Sequence, residues 1–290
     1  MNALKKLTAL ALSAALLTGC SVAFSPIYGS GSVDNEAQIH FLDVGQADAA
    51  LIVCGEDTIL IDGGERGDGD FVVDYIRSLG IDQLDMVIAT HAHEDHIGGL
   101  PDVLEAFPVE EIYLSDAPAT TKIYEKLLDA IDEQGLTPEC PEVGSSISFE
   151  SGMALTVLAP GPDNAALSKD MNSSSLSVRL DIGACSAVFT GDATAKSEKQ
   201  MLASGIPLDC DIYKVAHHGS RTSNSEDFID ALSPELAVVS VGEYSEYGLP
   251  DEEPLERLEA VGAEILQTID VGTVVVTIEA DGSYSYETER

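Results

Sequence analysis

The chain has 290 residues, 44% of them hydrophobic and 22% charged, which excludes a disordered polymer and is enough to bury a full core. Fourteen basic residues face 51 acidic ones, a formal charge of −37. Such a body repels nucleic acid at long range and offers few cations for counterion release, so stable duplex DNA binding is not expected. Any phosphate-bearing substrate has to be attracted locally.

The amino terminus reads apart from the rest. Lys5 and Lys6 precede an apolar run over 7–17, too short for a permanent membrane helix but the right length for the centre of a secretion signal. Leu17-Thr18-Gly19-Cys20 resembles a bacterial lipobox. That resemblance implies a signal peptide over 1–19, cleavage before Cys20, lipidation of its sulfur and amine, and an extracytoplasmic protein held to the membrane by its lipid anchor only. The alternative is an ordinary signal peptide with a chance cysteine. Residues 20–36, with Ser25-Pro26 and Gly29-Ser30-Gly31-Ser32, read as a flexible tether, leaving 37–290 as the folded domain. Removing 1–19 takes away two lysines and no acid, so 12 basic residues would remain against 51 acidic ones, a charge of −39. Cys54, Cys140, Cys185 and Cys210 match no compact zinc motif, and no disulfide pairing can be assigned among them.

From residue 38 the chain reads as strands first, then alternating helices and strands. Short apolar runs at 40–44, 49–54 and 58–61 predict strands, 71–79 has helical spacing and stops at Gly80, and 84–89 is a buried strand. A strand follows at 111–114 and a helix at 121–134. The second half repeats the pattern without repeating the sequence. It has strands at 147–149, 155–159, 176–182 and 185–189, a helix at 193–202 and a strand at 212–216. Helices at 228–232 and 254–261 alternate with strands at 236–241, 265–267 and 274–278. Two groups of strands flanked by helices predict a four-layer α/β arrangement whose loops meet at one edge.

The chemistry is concentrated in Thr90-His91-Ala92-His93-Glu94-Asp95-His96, which holds three of the six histidines directly after an apolar strand. Period-2 geometry puts His91 and His93 on one face, while Asp95 and His96, past the turn, can reach a second ion. Two further apolar strands end in ligand types, at Gly191-Asp192 and at His217-His218. A Gly-Asp alone is ordinarily a turn. Joined to the histidine cluster it completes a candidate binuclear site, where glycine allows close backbone approach and Asp192 has two oxygens to share. His40, at the start of a strand, reads as a surface or second-layer histidine. Lys214, Ser220 and Arg221 are either phosphate contacts or packing residues.

Taken together, these segments resemble the metallo-β-lactamase superfamily, and within it the extracellular hydrolase domain of ComEC-type competence proteins. The matching stretches are Phe41-Leu42-Asp43-Val44-Gly45-Gln46-Ala47-Asp48, Leu60-Ile61-Asp62-Gly63-Gly64, the histidine cluster through Gly98-Gly99-Leu100, and Asn172 to Leu180. They continue through Phe189-Thr190-Gly191-Asp192 and Val215 to Ser223, and reach Tyr247-Gly248. The resemblance implies an αββα sandwich with two divalent metals at its edge. It assigns His91, His93 and Asp192 to the first metal, and Asp95, His96, Asp192 and His217 to the second. His218 is the alternative to His217, since neighbouring strand residues face opposite ways. Asp62 would orient the cluster from behind. Three departures from the family pattern stand out. Residues 97–191 contain no third histidine, Asn172 lying nearest that motif. Ala47 replaces a glycine, and Leu249 replaces the histidine of a late Tyr-Gly-His-Pro.

The expected activity is metal-dependent hydrolysis. Two ions roughly 3.5–4 Å apart would lower the pKa of a shared water, with Asp95 positioning it for attack. Two divalent ions less two carboxylates and the ionised water leave about one positive charge, which suits a phosphodiester. The resemblance points to DNA, and a cell-surface polymer such as teichoic acid is the other phosphodiester in view. Histidine-rich ligation suits zinc, and the aspartates also admit manganese. The rival reading is a non-enzymatic metal-binding surface lipoprotein acting as a DNA-uptake accessory. Metal content and turnover separate the two.

Overall fold

The computed structural model describes residues 36–161, 170–243, 245 and 247–290. The lipidation and tether expected around Cys20 lie outside the described residues. Strands of the first half are β1 (Ala37–Phe41), β2 (Ala50–Cys54), β3 (Asp57–Ile61), β4 (Leu84–Ala89), β5 (Val109–Leu114), β6 (Ser146–Ser148) and β7 (Ala154–Ala159). Then come β8 (Ser177–Ile182), β9 (Cys185–Phe189), β10 (Ile212–Lys214), β11 (Leu236–Val239), β12 (Glu264–Gln267), β13 (Val274–Ile278) and β14 (Tyr284–Thr288). They form two mixed sheets of seven strands, ordered β14-β13-β1-β2-β3-β4-β5 and β12-β11-β10-β9-β8-β7-β6.

Strand alternation explains the layers. In β9, Cys185, Ala187 and Phe189 face the core between the sheets, and Val188 faces outward. In β4, Met86 and Ile88 face that inner core while Val87 and Ala89 face the outer one. Both faces are dry, so these strands read as apolar runs. The outer face of the first sheet is covered by helices Gly69–Ser78, Leu100–Ala106 and Lys122–Glu133. Helices Ala195–Ser204, Glu226–Leu232 and Glu252–Val261 cover the second. The result is the expected four-layer sandwich. Stacked Phe41 and Phe189, with ring centroids 5.8 Å apart, tie the two sheets together. No helix among the described residues is long and apolar enough to cross a membrane.

Some elements differ from the sequence reading. The strand expected at 212–216 stops at Lys214, and Ala216–Gly219 forms a 3-10 turn. Helices Glu94–Ile97 and Leu100–Ala106, and the edge strand β14, were not expected. The first is a single turn, too short to show a period. The last alternates half-buried tyrosines with exposed residues and so carries little apolar signal. Cys54, Cys140, Cys185 and Cys210 are free thiols, and all but Cys140 are buried.

Candidate metal centre

Every group of the centre sits at the rim where strands of both sheets end. From the first sheet, Asp62 follows β3 with φ +58 and is buried. Its Oδ1 accepts the Thr90 N–H at 2.8 Å and its Oδ2 accepts the Thr90 hydroxyl at 2.7 Å. The same Oδ2 lies 2.8 Å from His96 Nδ1. Asp62 therefore fixes the cluster's first residue and the ring of its last. His93 precedes the short helix Glu94–Ile97, which swings Asp95 and His96 back toward the rim. His91 Nε2 and His93 Nδ1 are 2.9 Å apart.

From the second sheet, β9 runs into Thr190-Gly191-Asp192. Gly191 has φ +50, and a Cβ there would lie 2.7 Å from Thr90 Oγ1, so glycine is required where the two sheets meet. Asp192 divides its oxygens: Oδ2 is 3.7 Å from His91 Nε2, and Oδ1 is 3.2 Å from His96 Nε2. After β10, His217 (φ 52, ψ 44) and His218 (φ 51, ψ 31) are both left-handed. Such backbone costs about 1–3 kcal/mol per residue and persists only where surroundings over-determine it. Here the His217 N–H bonds to the Gly191 carbonyl at 3.1 Å. Asn224 Nδ2 donates to the Ala216 and Ser220 carbonyls, and the Tyr213 hydroxyl accepts the Ala216 N–H and donates to Asn224 Oδ1.

This turn replaces the strand geometry expected for the two histidines. They are not on a strand, so both rings can face Asp192. His218, not His217, joins Asp95, His96 and Asp192, with its Nε2 3.3 Å from Asp95 Oδ2 and 4.0 Å from Asp192 Oδ1. His91, His93 and Asp192 form the other group, that of the first ion, and Asp192 belongs to both. His217 sits on the His91 side, its Nε2 3.5 Å from Asp192 Oδ2. Asn172 opens the 3-10 turn Asn172–Ser174, and its Nδ2 is 3.3 Å from His217 Nε2.

Three other residues show the packing and turn contacts that were one of their two expected options. Lys214 is buried and ion-paired to Asp48, with Nζ 2.8 Å from Oδ1 and 2.9 Å from Oδ2, so it does not face a substrate. Arg221 pairs with Asp251 on the surface. The Ser220 hydroxyl is 2.9 Å from Thr222 Oγ1. His40 is buried away from the rim with its Nδ1 2.9 Å from the Tyr75 hydroxyl, and burial pushes its pKa down to about 4.

Sequence reasoning gave Asp48 no role, yet it belongs to a third acidic group with Asp62 and His96 and lies 3.5 Å from His218 Nδ1. Only its position in the first matching stretch could have marked it. The Ser240 carbonyl, after β11, lies 2.9 Å from His218 Nδ1 and was likewise unforeseen.

Electrostatically the centre calls for cations. Burial, reinforced by His96, holds His91 well below the ordinary imidazole range, and burial also lowers His93, so both are neutral donors. Burial opposes charge on His96, but Asp192, Asp62 and Asp95 outweigh it and hold that ring well above its usual range. His218 is raised likewise, with Asp48, Asp95 and Asp192 outweighing burial. Burial also opposes ionisation of Asp95 and Asp192, yet the facing imidazoles hold both carboxyls down. For Asp62 burial prevails and raises it. Four carboxylates gather here against Lys214, and the raised His96 and His218 supply the positive charge that a bound cation would otherwise bring to this buried cluster.

The donor set fits a pair of divalent ions. His96 Nε2, His218 Nε2 and Asp192 Oδ1 are buried without a hydrogen-bond partner. On both histidines the other ring nitrogen is engaged, by Asp62 and by the Ser240 carbonyl. A ring held through one nitrogen with the other facing carboxylates of the same cluster is the arrangement of a metal-ligating histidine.

Comparison with known proteins agrees with this architecture. The family model described as the metallo-beta-lactamase superfamily matches residues 42–243. The chain is 28% identical over 286 residues to ComE operon protein 3 of Bacillus subtilis, covering 91% of this chain and 36% of that protein. It is 29% identical over 249 residues to Recombination protein 2 of Haemophilus influenzae, covering 84% of this chain and 29% of that one. Competence protein ComA of Neisseria gonorrhoeae is 27% identical over 237 residues, which is 81% of this chain and 31% of that protein. The chain thus spans about a third of the length of these relatives. Among solved structures, the metallo-beta-lactamase fold protein YhfI from Bacillus subtilis superposes with a TM-score of 0.56 at 13% identity, covering 87% of this chain and all of that one. CmlA, a diiron beta-hydroxylase from Streptomyces venezuelae, gives 0.55 at 15% identity over 84% of this chain and 54% of its own. At these identities the likeness is one of fold.

Proposed function

Because the chain belongs to the metallo-beta-lactamase superfamily, we propose that it is a two-metal hydrolase of phosphodiester bonds, nuclease-like, acting at the cell surface in DNA uptake. The observation that carries this reading is the double membership of Asp192, whose two oxygens face two separate ligand groups. His91, His93 and Asp192 would hold one ion; Asp95, His96, Asp192 and His218 would hold the other. Zinc suits the imidazoles, and manganese is the alternative that the carboxylates admit. When bound, the pair supplies Lewis acidity and a more acidic water, and clamps the group under attack.

The chain's own residues do the rest. Asp62 and the Ser240 carbonyl orient His96 and His218, and the Lys214–Asp48 pair backs both rings. Asp95 is the most open of the four carboxylates, its side chain 35% exposed against 2–7% for Asp48, Asp62 and Asp192. It is therefore the acid placed to orient an incoming water. The strongly negative body favours brief encounters with a polyanion over stable duplex binding. Location at the outer surface, through a lipid on Cys20, is drawn from residues 17–20.

The test is metal analysis of the purified chain beside hydrolysis of a chromogenic phosphodiester and single-stranded DNA, each under Zn²⁺ and Mn²⁺. Two equivalents of metal with turnover that is lost in Asp192→Ala are expected. Two equivalents with turnover of lactones or β-lactams alone would overturn the bond type. Two equivalents without turnover on any substrate would favour the metal-binding accessory, for which the lack of a third histidine over 97–191 is the motive.

A further inference from the structure

The first ligand group holds two imidazoles and one carboxylate, fewer donors than the second group's four. His217 is the site histidine that neither group uses. Its Nε2 lies 3.5 Å from Asp192 Oδ2, the same oxygen that His91 Nε2 approaches at 3.7 Å. Two ligands on one tetrahedral zinc, each about 2.0–2.1 Å from it, stand about 3.4 Å apart, so both separations are of the size a shared ion requires.

The ring is also aimed. His217 Nδ1 lies 3.2 Å from Thr222 Oγ1, so Nε2 is the nitrogen turned toward Asp192. The only side-chain hydrogen-bond partner Nε2 has among the described residues is Asn172 Nδ2, at 3.3 Å. The left-handed conformation at both His217 and His218 is what lets two consecutive side chains reach one carboxylate. If His218 alone faced inward, left-handed backbone at His217 would bring no return for its strain.

We propose that His217 is the third imidazole ligand of the first ion, through Nε2, with Thr222 as its positioning residue. This rests on the two-metal reading above. It reassigns His217 from the second ion to the first and gives the two ions different donors. The first has three nitrogens and one carboxylate; the second has two of each. A nitrogen-rich site next to a more carboxylate-rich one favours zinc in the first position and leaves the second open to manganese.

The experiment is a Zn²⁺ titration of the full chain, followed by calorimetry and metal analysis, with far-UV circular dichroism to confirm folding. The wild type is expected to take two ions. His217→Ala should keep one at wild-type affinity and bind the other at least about tenfold more weakly. Adding His91→Ala to it should weaken that same ion further and leave the tightly held one unchanged, whereas adding His218→Ala should weaken the tightly held ion. Thr222→Val, which leaves every ligand in place, should weaken the same ion by a smaller factor. Should His217→Ala fail to fold, Thr222→Val carries the test, and unchanged affinity there would overturn the proposal. A wild type with two ions and a folded His217→Ala that keeps both at full affinity would also overturn it. A wild type that binds fewer than two ions would instead remove the two-metal reading and this proposal with it.

Discussion

Replacing Lys214 by methionine should cost more stability than any surface charge in this protein. Lys214 and Asp48 are 4% and 5% exposed, and the ammonium is within 2.9 Å of both carboxylate oxygens. At an effective dielectric of about 20, that separation corresponds to about 6 kcal/mol of attraction. Methionine fills similar volume but takes from buried Asp48 its nearest cation, leaving it beside Asp62 with only the more distant His218 and His96 rings, so a loss of about 3–5 kcal/mol is expected. Asp48→Asn in the Lys214→Met background removes the stranded charge and should recover most of that loss. Urea unfolding of the metal-free protein at pH 7 measures all three variants and the wild type, and the double-mutant cycle isolates the pair. Because the pair is buried, the coupling should change little between low and high salt. A loss below about 1 kcal/mol for Lys214→Met, the range of exposed ion pairs, would refute the reasoning.

Other outcomes follow from the same geometry. Asp62→Asn offers one oxygen where Thr90 N–H, Thr90 Oγ1 and His96 Nδ1 now share two, so the ion on His96 should bind about 10–100-fold more weakly in a metal titration. Gly191→Ala combines φ +50 with a Cβ 2.7 Å from Thr90 Oγ1 and should lose about 1–3 kcal/mol in denaturant melts. His40 has a folded pKa of about 4 against 6.5 when free, so the unfolded chain takes up the proton first as pH falls. Its neutral form is stable above pH 6.5, and between 6.5 and 4 the wild type should lose up to about 3 kcal/mol that His40→Leu does not lose. Parallel stability curves for the two proteins across that range would count against this.

The histidine cluster was readable because alternating imidazoles at the end of an apolar run suit a metal site and little else. The layers were readable because strands buried on both faces appear as apolar runs, as over Met86–Ala89 in β4 and Ala187–Phe189 in β9. What stayed hidden depended on distant neighbours or on backbone hand. Strand alternation predicted one inward ring from His217-His218, and two consecutive left-handed residues overrode it. Lys214 reads equally as a phosphate contact or a packing residue in the sequence, because its partner lies 166 residues away. Asp48 sits in a loop before β2, where an aspartate has an ordinary turn role by default.

The centre takes its donors from both halves of the sandwich. His91, His93, Asp95 and His96 follow β4 of one sheet, while Asp192 and His218 follow β9 and β10 of the other. An ion seated among them would rivet the two slabs along one seam, opposite in kind to the oily contact of Phe41 with Phe189. Occupancy and folding would then be thermodynamically linked, with each tenfold rise in free ion above its dissociation constant adding about 1.4 kcal/mol to the assembled state. A chelator would therefore loosen the molecule at its working rim first, before the interior gave way.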